Sequence, residues 1–228
     1  MILVVGDIHG AINHIDYTLR HLNIKNASII QVGDFGIGFR SNPDMGCDIY
    51  NEKFKERNVH LYVVRGNHDN PRYFDGVDVY SNIHFLKDYS LLELDGHRIL
   101  CLGGAVSIDR MMKSHGSSWW ANENFVYDYN KLTEHTNIDI VISHSAPMMA
   151  PPVGISAPIV EHYAREDLNL NRDLLQERND LALAFDVLKT SNNITDWIYG
   201  HFHQSALKEI DAVQFRALTI NEIYTIRD

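Results

Sequence analysis

Ile2-Leu3-Val4-Val5-Gly6-Asp7-Ile8-His9-Gly10 decides how the chain is read. The apolar run ILVV, residues 2–5, predicts a short strand buried on both faces, as in a parallel sheet. It runs straight into Gly-Asp-Ile-His-Gly, a tight turn at the C-terminal end of that strand. Asp7 and His9 stand two apart in the turn, so both can point into one site, and the flanking Gly6 and Gly10 permit sharp turns and close backbone approach.

Working outward, the same arrangement recurs. Residues 11–22 carry Ile12, Ile15, Leu19 and Leu22 at helical spacing. Residues 27–32 (ASIIQV) predict a second strand ending at Gly33-Asp34, and residues 47–57 a polar helix. Residues 59–64 (VHLYVV) predict a third strand, which ends at Arg65-Gly66-Asn67-His68-Asp69. Alternation of strand and helix implies parallel pairing with both faces covered.

The middle of the chain changes character. Residues 83–102 hold IHFL, SLLEL, Asp95-Gly96 and RILCLGG, and an Asp-Gly between apolar runs is a hairpin signal. Residues 107–125 show no period and are long for a connection, which in a domain of this size points to a functional loop. Residues 138–143 (IDIVIS) predict a strand ending at His144. Residues 145–160 are irregular and rich in proline and small residues, a candidate wall for a substrate cleft. Residues 172–189 form an amphipathic pattern suited to an outer-layer helix. Residues 197–199 lead into Gly200-His201-Phe202-His203, and residues 206–226 alternate like two or three antiparallel strands.

Composition narrows the class. At 228 residues the chain fits one domain, spanning 1–228, with a sizeable core. A formal net charge of −10 disfavours non-specific binding to nucleic acid or to an anionic membrane. No apolar run approaches the roughly 20 residues of a membrane-spanning helix. The strand beginning at Ile2 leaves no room for a secretory leader. Cys47 and Cys101 sit in no metal-ligand spacing and read as small buried apolar residues. These features together predict a cytoplasmic protein, and they leave its oligomeric state open.

Histidine is the outlier, with thirteen in the chain. Five fall in the ordered pieces GDIHG, GDFG, GNHD, SHSAP and GHFH, which supply Asp7, His9, Asp34, Asn67, His144, His201 and His203. Each piece alone is explained by turn formation. All five in order, each just past the end of a predicted strand where ligand sites gather, are not. Carboxylate, amide oxygen and imidazole are the donors that a pair of hard divalent ions needs, with one carboxylate shared.

The order resembles the calcineurin-like metallophosphoesterase superfamily from residue 6 to residue 203: D-x-H, then G-D, then G-N-H-D/E, then H, then G-H-x-H. The resemblance implies a four-layer αββα sandwich, two mixed sheets flanked by helices. It implies that Asp7, His9 and His203 bind one metal and that Asn67, His144 and His201 bind a second, with Asp34 bridging. His68 is then the catalytic residue near the scissile phosphate, as leaving-group acid or phosphate contact. The expected reaction is hydrolysis of a phosphomonoester or phosphodiester by in-line attack of a metal-bridging hydroxide. Manganese or iron is the family habit, and zinc is compatible with the donors.

The departures matter as well. Gly33-Asp34-Phe35-Gly36 replaces the GDxVDRG of Ser/Thr protein phosphatases, and Asp69 stands where those enzymes have Glu. Both changes favour a small phosphorylated substrate and the small bacterial or phage-type phosphoesterases. A protein phosphatase, a nuclease and, in another class, a non-catalytic metal-stabilised module remain the alternatives. Arg110 and Arg65 are candidates to bind substrate phosphate, since guanidinium suits phosphate geometry. Trp119 and Trp120 are candidates to stack on a planar leaving group, against the plainer reading of loop packing. Asp109 is a candidate to orient a histidine or metal ligand.

Overall fold

The structure, a computed structural model, describes residues 1–40, 44–77 and 79–226. In chain order its elements are β1 (Ile2–Val5), α1 (Ile12–His21), β2 (Ala27–Gln31), α2 (Cys47–Glu56), β3 (Val59–Val63), β4 (Ile83–Phe85), β5 (Ser90–Leu94), β6 (His97–Leu102), α3 (Tyr129–Thr133), β7 (Ile140–Ser143), α4 (Pro158–Ala164), α5 (Leu170–Ser191), β8 (Asp196–Tyr199), β9 (Ala206–Ile210), β10 (Val213–Ala217) and β11 (Ile223–Thr225). Single 3-10 turns lie at Pro71–Tyr73 and Arg110–Met112.

The strands form two sheets, ordered β11-β1-β2-β3-β4 and β5-β6-β7-β8-β10-β9. The neighbours β1, β2, β3 and β4 are parallel, as are β6, β7, β8 and β10; β11, β5 and β9 run antiparallel at the edges. Successive side chains on a strand face opposite ways, and that alternation sorts the apolar residues into three layers of core. Leu3, Val5, Ile29, Leu61 and Val63 pack with Ile12, Ile15 and Leu19 of α1 and Phe54 of α2. Ile2, Val4 and Ile30 turn the other way and meet Ile99, Cys101, Ile140, Ile142 and Ile198 of the second sheet. Leu100, Val141, Trp197, Tyr199 and Phe215 then pack on Leu181, Ala184, Phe185 and Leu188 of α5. Three cores between four layers make the αββα sandwich. Each fully buried aliphatic side chain contributes about 1.5–3 kcal/mol, so strands this short are held mainly by what covers them.

Three differences from the sequence reading have physical causes. Residues 83–85 do not join the hairpin that follows them: β4 pairs with β3 in the first sheet, while β5 and β6 form the hairpin in the second. The Asp95-Gly96 turn has both residues at positive φ, 46° and 86°, as a two-residue hairpin requires. The tail is only partly antiparallel, because β10 lies parallel to β8 and β11 crosses to pair with β1. Finally, the irregular stretch ends in a helix: Pro158 occupies the first turn of α4, where its missing N–H costs nothing. Both cysteines are free and buried. Among the described residues no helix is long and apolar enough to cross a membrane.

Candidate metal centre

The loops that follow the parallel strands of both sheets meet at one edge. β1 delivers Asp7 and His9, β2 delivers Asp34, and β3 delivers Asn67 and His68. From the second sheet β7 delivers His144, and β8 delivers His201 and His203. The backbone is bent hard here. His9, Asp34, His201 and His203 all sit at positive φ (43°, 56°, 67° and 52°), a conformation uncommon for residues with a side chain and one that marks functional sites. Close approach adds to this: a Cβ on Gly66 would lie 2.1 Å from the Asp34 amide nitrogen. Gln31 ties the first two loops together, donating to the carbonyls of Gly6 and Gly33 while its own oxygen accepts from the Gly33 amide.

The seven side chains converge in two groups. Donor atoms of Asp7, His9, Asp34 and His203 lie within 4.8 Å of one another, as do those of Asp34, His144 and His201, so Asp34 belongs to both groups. Asn67 joins the second group, its Oδ1 3.1 Å from Nε2 of His144. A hydroxyl network sets that amide's orientation. Ser107 Oγ accepts from Asn67 Nδ2 at 2.9 Å and from Lys113 Nζ at 3.1 Å, and donates to Glu123 at 2.9 Å. The Asn67 nitrogen is thereby taken up, and its oxygen is left facing the centre. His144 donates from Nδ1 to the Val32 carbonyl at 2.9 Å, which leaves Nε2 facing Asp34 at 3.1 Å. The backbone amide of His201 donates to the buried Asp7 carboxylate.

The donors at the centre shift one another's ionisation strongly. Burial opposes charge on Asp34, yet the field of His144 with that of His68 and His9 holds its carboxyl well below the usual range. His144 moves up in return: burial opposes its charge, and Asp34 more than offsets that. His201 is driven well down by burial and by neighbouring His144. Nε2 of His9 and Nε2 of His203 are 2.9 Å apart, both within 4 Å of the Asp7 carboxylate. Imidazole nitrogens and buried carboxylate oxygens are thus gathered around common points. The residues therefore fit the divalent ions that the donor set implies.

His68 stacks flat on Phe39, centroids 4.6 Å apart, and its backbone amide donates to Asp34 at 2.7 Å. Its Nε2 lies 2.9 Å from Nζ of Lys113, whose side chain is only 4% exposed and also pairs with Asp109 at 2.9 Å. Asp109 thus bears on a histidine through Lys113. Burial, against Asp34 and with Lys113, pushes the His68 pKa down. Glu123, behind Ser107, is pushed up to about 7 by burial.

Other sequence candidates fall elsewhere. Arg110 is not free to bind phosphate, because its guanidinium pairs with Asp167 and, at 2.7 Å, with Asp173. Arg65 is buried in a fork on Asp88 and on the carbonyls of Asn122, Glu123 and Asn124, which makes it a tie between loops. Trp119 packs edge-on against His115 at 5.4 Å and lines neither cavity at the centre. Trp120 is buried near Phe39. One of those cavities, about 560 Å³, has Asp34, Asn67, His68 and His201 at its floor and Val153, Ile159, Tyr163, Leu174, Arg178 and Phe202 in its walls. Residues 145–160 and α4 do wall the cleft. The other cavity, about 330 Å³, opens on His9, Phe39 and His68.

A family model, calcineurin-like phosphoesterase, matches residues 1–205. The chain belongs to this family. Its members are metal-dependent hydrolases of phosphoester bonds, and this phosphoesterase carries the fold and the donor clusters to match. Solved structures with the same fold include a putative 5'-nucleotidase from Staphylococcus aureus, at 11% identity and a TM-score of 0.52, matched over 96% of this chain and 48% of that one. This chain thus spans about half the length of the staphylococcal protein. Phosphopantetheinyl hydrolase from Mycobacterium tuberculosis aligns at 11% identity and a TM-score of 0.48, over 96% of this chain and 90% of that one. An archaeal phosphodiesterase aligns at 14% identity and a TM-score of 0.41, over 96% and 83%. The likeness to the staphylococcal protein, at 11% identity, is one of fold. No curated protein matches the sequence.

Two residues of the phosphoesterase escape a reading of its sequence. Lys113 lies in the stretch without a period, four residues after Asp109, and carries no motif. Arg178 lies in α5 at helical spacing from Leu174 and Leu181, so the period puts it on the apolar face, where it is 3% exposed, but no motif marks it.

Proposed function

We propose that this phosphoesterase is a dinuclear enzyme acting as a single domain, 1–228, on a small phosphomonoester or phosphodiester. The observation that carries the reading is the convergence of seven donors from both sheets, with Asp34 in both groups, at a cavity of about 560 Å³ that Asp34, Asn67, His201 and His203 line. Asp7, His9 and His203 would hold one ion and Asn67, His144 and His201 the other, with Asp34 between them. Oxygen and imidazole donors suit manganese or iron, and admit zinc. When bound, such ions supply Lewis acidity at the phosphoryl oxygens and a strong nucleophile at neutral pH.

The chain's own residues do the rest. Val32 fixes the His144 tautomer and Ser107 fixes the Asn67 amide, so both present a lone pair to the centre. Phe39 holds the His68 ring in plane, and Lys113 donates to its Nε2. A proton shared by that pair serves the departing oxygen, and the cationic side of the pair serves the phosphate. Apolar walls from α4 and α5 exclude water and accept the leaving group. The walls and the charge of −10 favour a small substrate over nucleic acid.

Metal analysis of purified protein should find close to two ions per chain. With added Mn²⁺ the protein should hydrolyse 4-nitrophenyl phosphate or its bis-ester, and Asp34→Ala should abolish this. A fully active Asp34→Ala protein would overturn the assignment.

A further inference from the structure

Arg178 sits on α5 one turn beyond Leu174 and is 3% exposed. Burying a guanidinium is costly unless a carboxylate and hydrogen bonds compensate. This chain supplies such partners to Arg65 and Arg110. Arg178 forms no ion pair among the described residues, and its Nε has no hydrogen-bond partner. Glu177, next to it in the chain, is already committed: one oxygen accepts from the Val106 amide and the other from Ser145 Oγ. Burial pushes the Arg178 pKa down, against the pull of Glu177.

The guanidinium is not simply hidden. It lines the cavity of about 560 Å³ whose floor holds Asp34, Asn67, His68 and His201. Its central carbon lies 5.4 Å from the ring centroid of Phe202, the residue between two of the candidate ligands. The transferred phosphate already has its cationic partners in the metal centre and in the pair of His68 with Lys113. An additional unpaired cation in the wall calls for an additional anion.

We propose that Arg178 receives a second anionic group of the substrate, a carboxylate or phosphate borne by the leaving group, whose apolar body lies against Ile159, Tyr163 and Leu174. The inference rests on the hydrolase reading above and names its substrate class: phosphoesters whose leaving group carries a carboxylate or phosphate of its own.

The test uses the full chain loaded with Mn²⁺ and three aryl esters: phenyl phosphate, 4-carboxyphenyl phosphate and 4-(phosphonomethyl)phenyl phosphate. The protein should favour one or both charged esters by about tenfold or more in kcat/KM, mostly through KM. The two arms tell carboxylate from phosphate. Arg178→Met should bring the ratio close to one, with Arg178→Lys between. Without ligand, Arg178→Met should melt no lower than the parent, since an uncompensated buried charge has been removed. Absence of any preference in the parent, or an equal loss for charged and uncharged esters in both variants, would overturn the proposal. A binding arm separates this from the hydrolase reading: 4-carboxybenzylphosphonate should raise the melting temperature more than benzylphosphonate, and Arg178→Met should erase the difference. Selective binding without turnover of any ester would sink the hydrolase reading and support the anion site; equal shifts by both phosphonates would sink the anion site.

Discussion

Nζ of Lys113 lies 2.9 Å from Nε2 of His68, and the lysine is held there by Asp109 and Ser107. An ammonium has protons only to give, so Nε2 of His68 accepts. The lysine then stands behind the imidazole as its proton donor, and His68 is the member of the pair that lines the cavity.

Lys113→Met should therefore lower turnover by about 10²-fold, the lower range for loss of a proton donor. The loss should be larger for alkyl than for 4-nitrophenyl leaving groups, and metal content should be retained. Lys113→Arg should recover part of the rate. Rates on the two ester types, with metal analysis, check this.

Asp69 joins the loop after β3 to the loop after β2. Its fully buried carboxylate accepts from the amides of Gly66 at 2.8 Å, Gly36 at 2.6 Å, Ile37 at 3.2 Å and Phe35 at 3.3 Å. Asp69→Asn turns an N–H toward those donors. A loss of about 2–4 kcal/mol in urea unfolding is expected, with weaker metal binding, because Asp34 and Asn67 lie on the loops it joins.

Glu177 gives the metal-free protein a pH dependence with a definite sign. Burial pushes its pKa from 4.5 to about 7, against its bonds from Ser145 and Val106. Between those values the folded chain keeps a proton that the unfolded chain has lost, so this group's contribution to stability falls as pH rises. Urea midpoints of the parent should drop relative to those of Glu177→Gln between pH 5 and 7, by up to roughly 3 kcal/mol in stability.

Gly200 bears on Asp7. A Cβ there would lie 2.1 Å from Asp7 Oδ1 and 2.6 Å from Val32 Cγ2. Gly200→Ala should displace the carboxylate, release an ion and cut turnover by about 100-fold or more. Gly116, whose Cβ would meet nothing within 4 Å, is the control: Ala there should cost about 1 kcal/mol or slightly more through its positive φ.

The strands after which the donors sit were legible because β1, β2 and β3 are apolar runs closed by a glycine turn and β7 is a run of isoleucine and valine. The donors were legible because their types and order leave little else for them to do. Partners set by distant residues were not. Ile83–Phe85 is equally apolar in either sheet, and only β3 decides which one it joins. Arg110 looked free because the carboxylates that take it lie 57 and 63 residues further on. Arg178 carried no motif, and its lack of a carboxylate partner shows only in the packed structure, because Glu177 beside it on the helix does not face it and is held by Val106 and Ser145. Which arginine is spoken for is a question of tertiary contact.

The donors come from opposite sides of the seam between the sheets: Asp7, His9, Asp34 and Asn67 from one, His144, His201 and His203 from the other. Between the sheets lies a layer of apolar residues such as Val4, Ile30, Cys101 and Ile142, and hydrogen bonds such as His144 to Val32 and His201 to Asp7 cross it at the edge where the donors sit. Ions held across that seam would act as rivets. Amide exchange in β2 and β7, strands on facing sheets, should slow together when metal is added, so the rigidity of the whole sandwich would report metal supply.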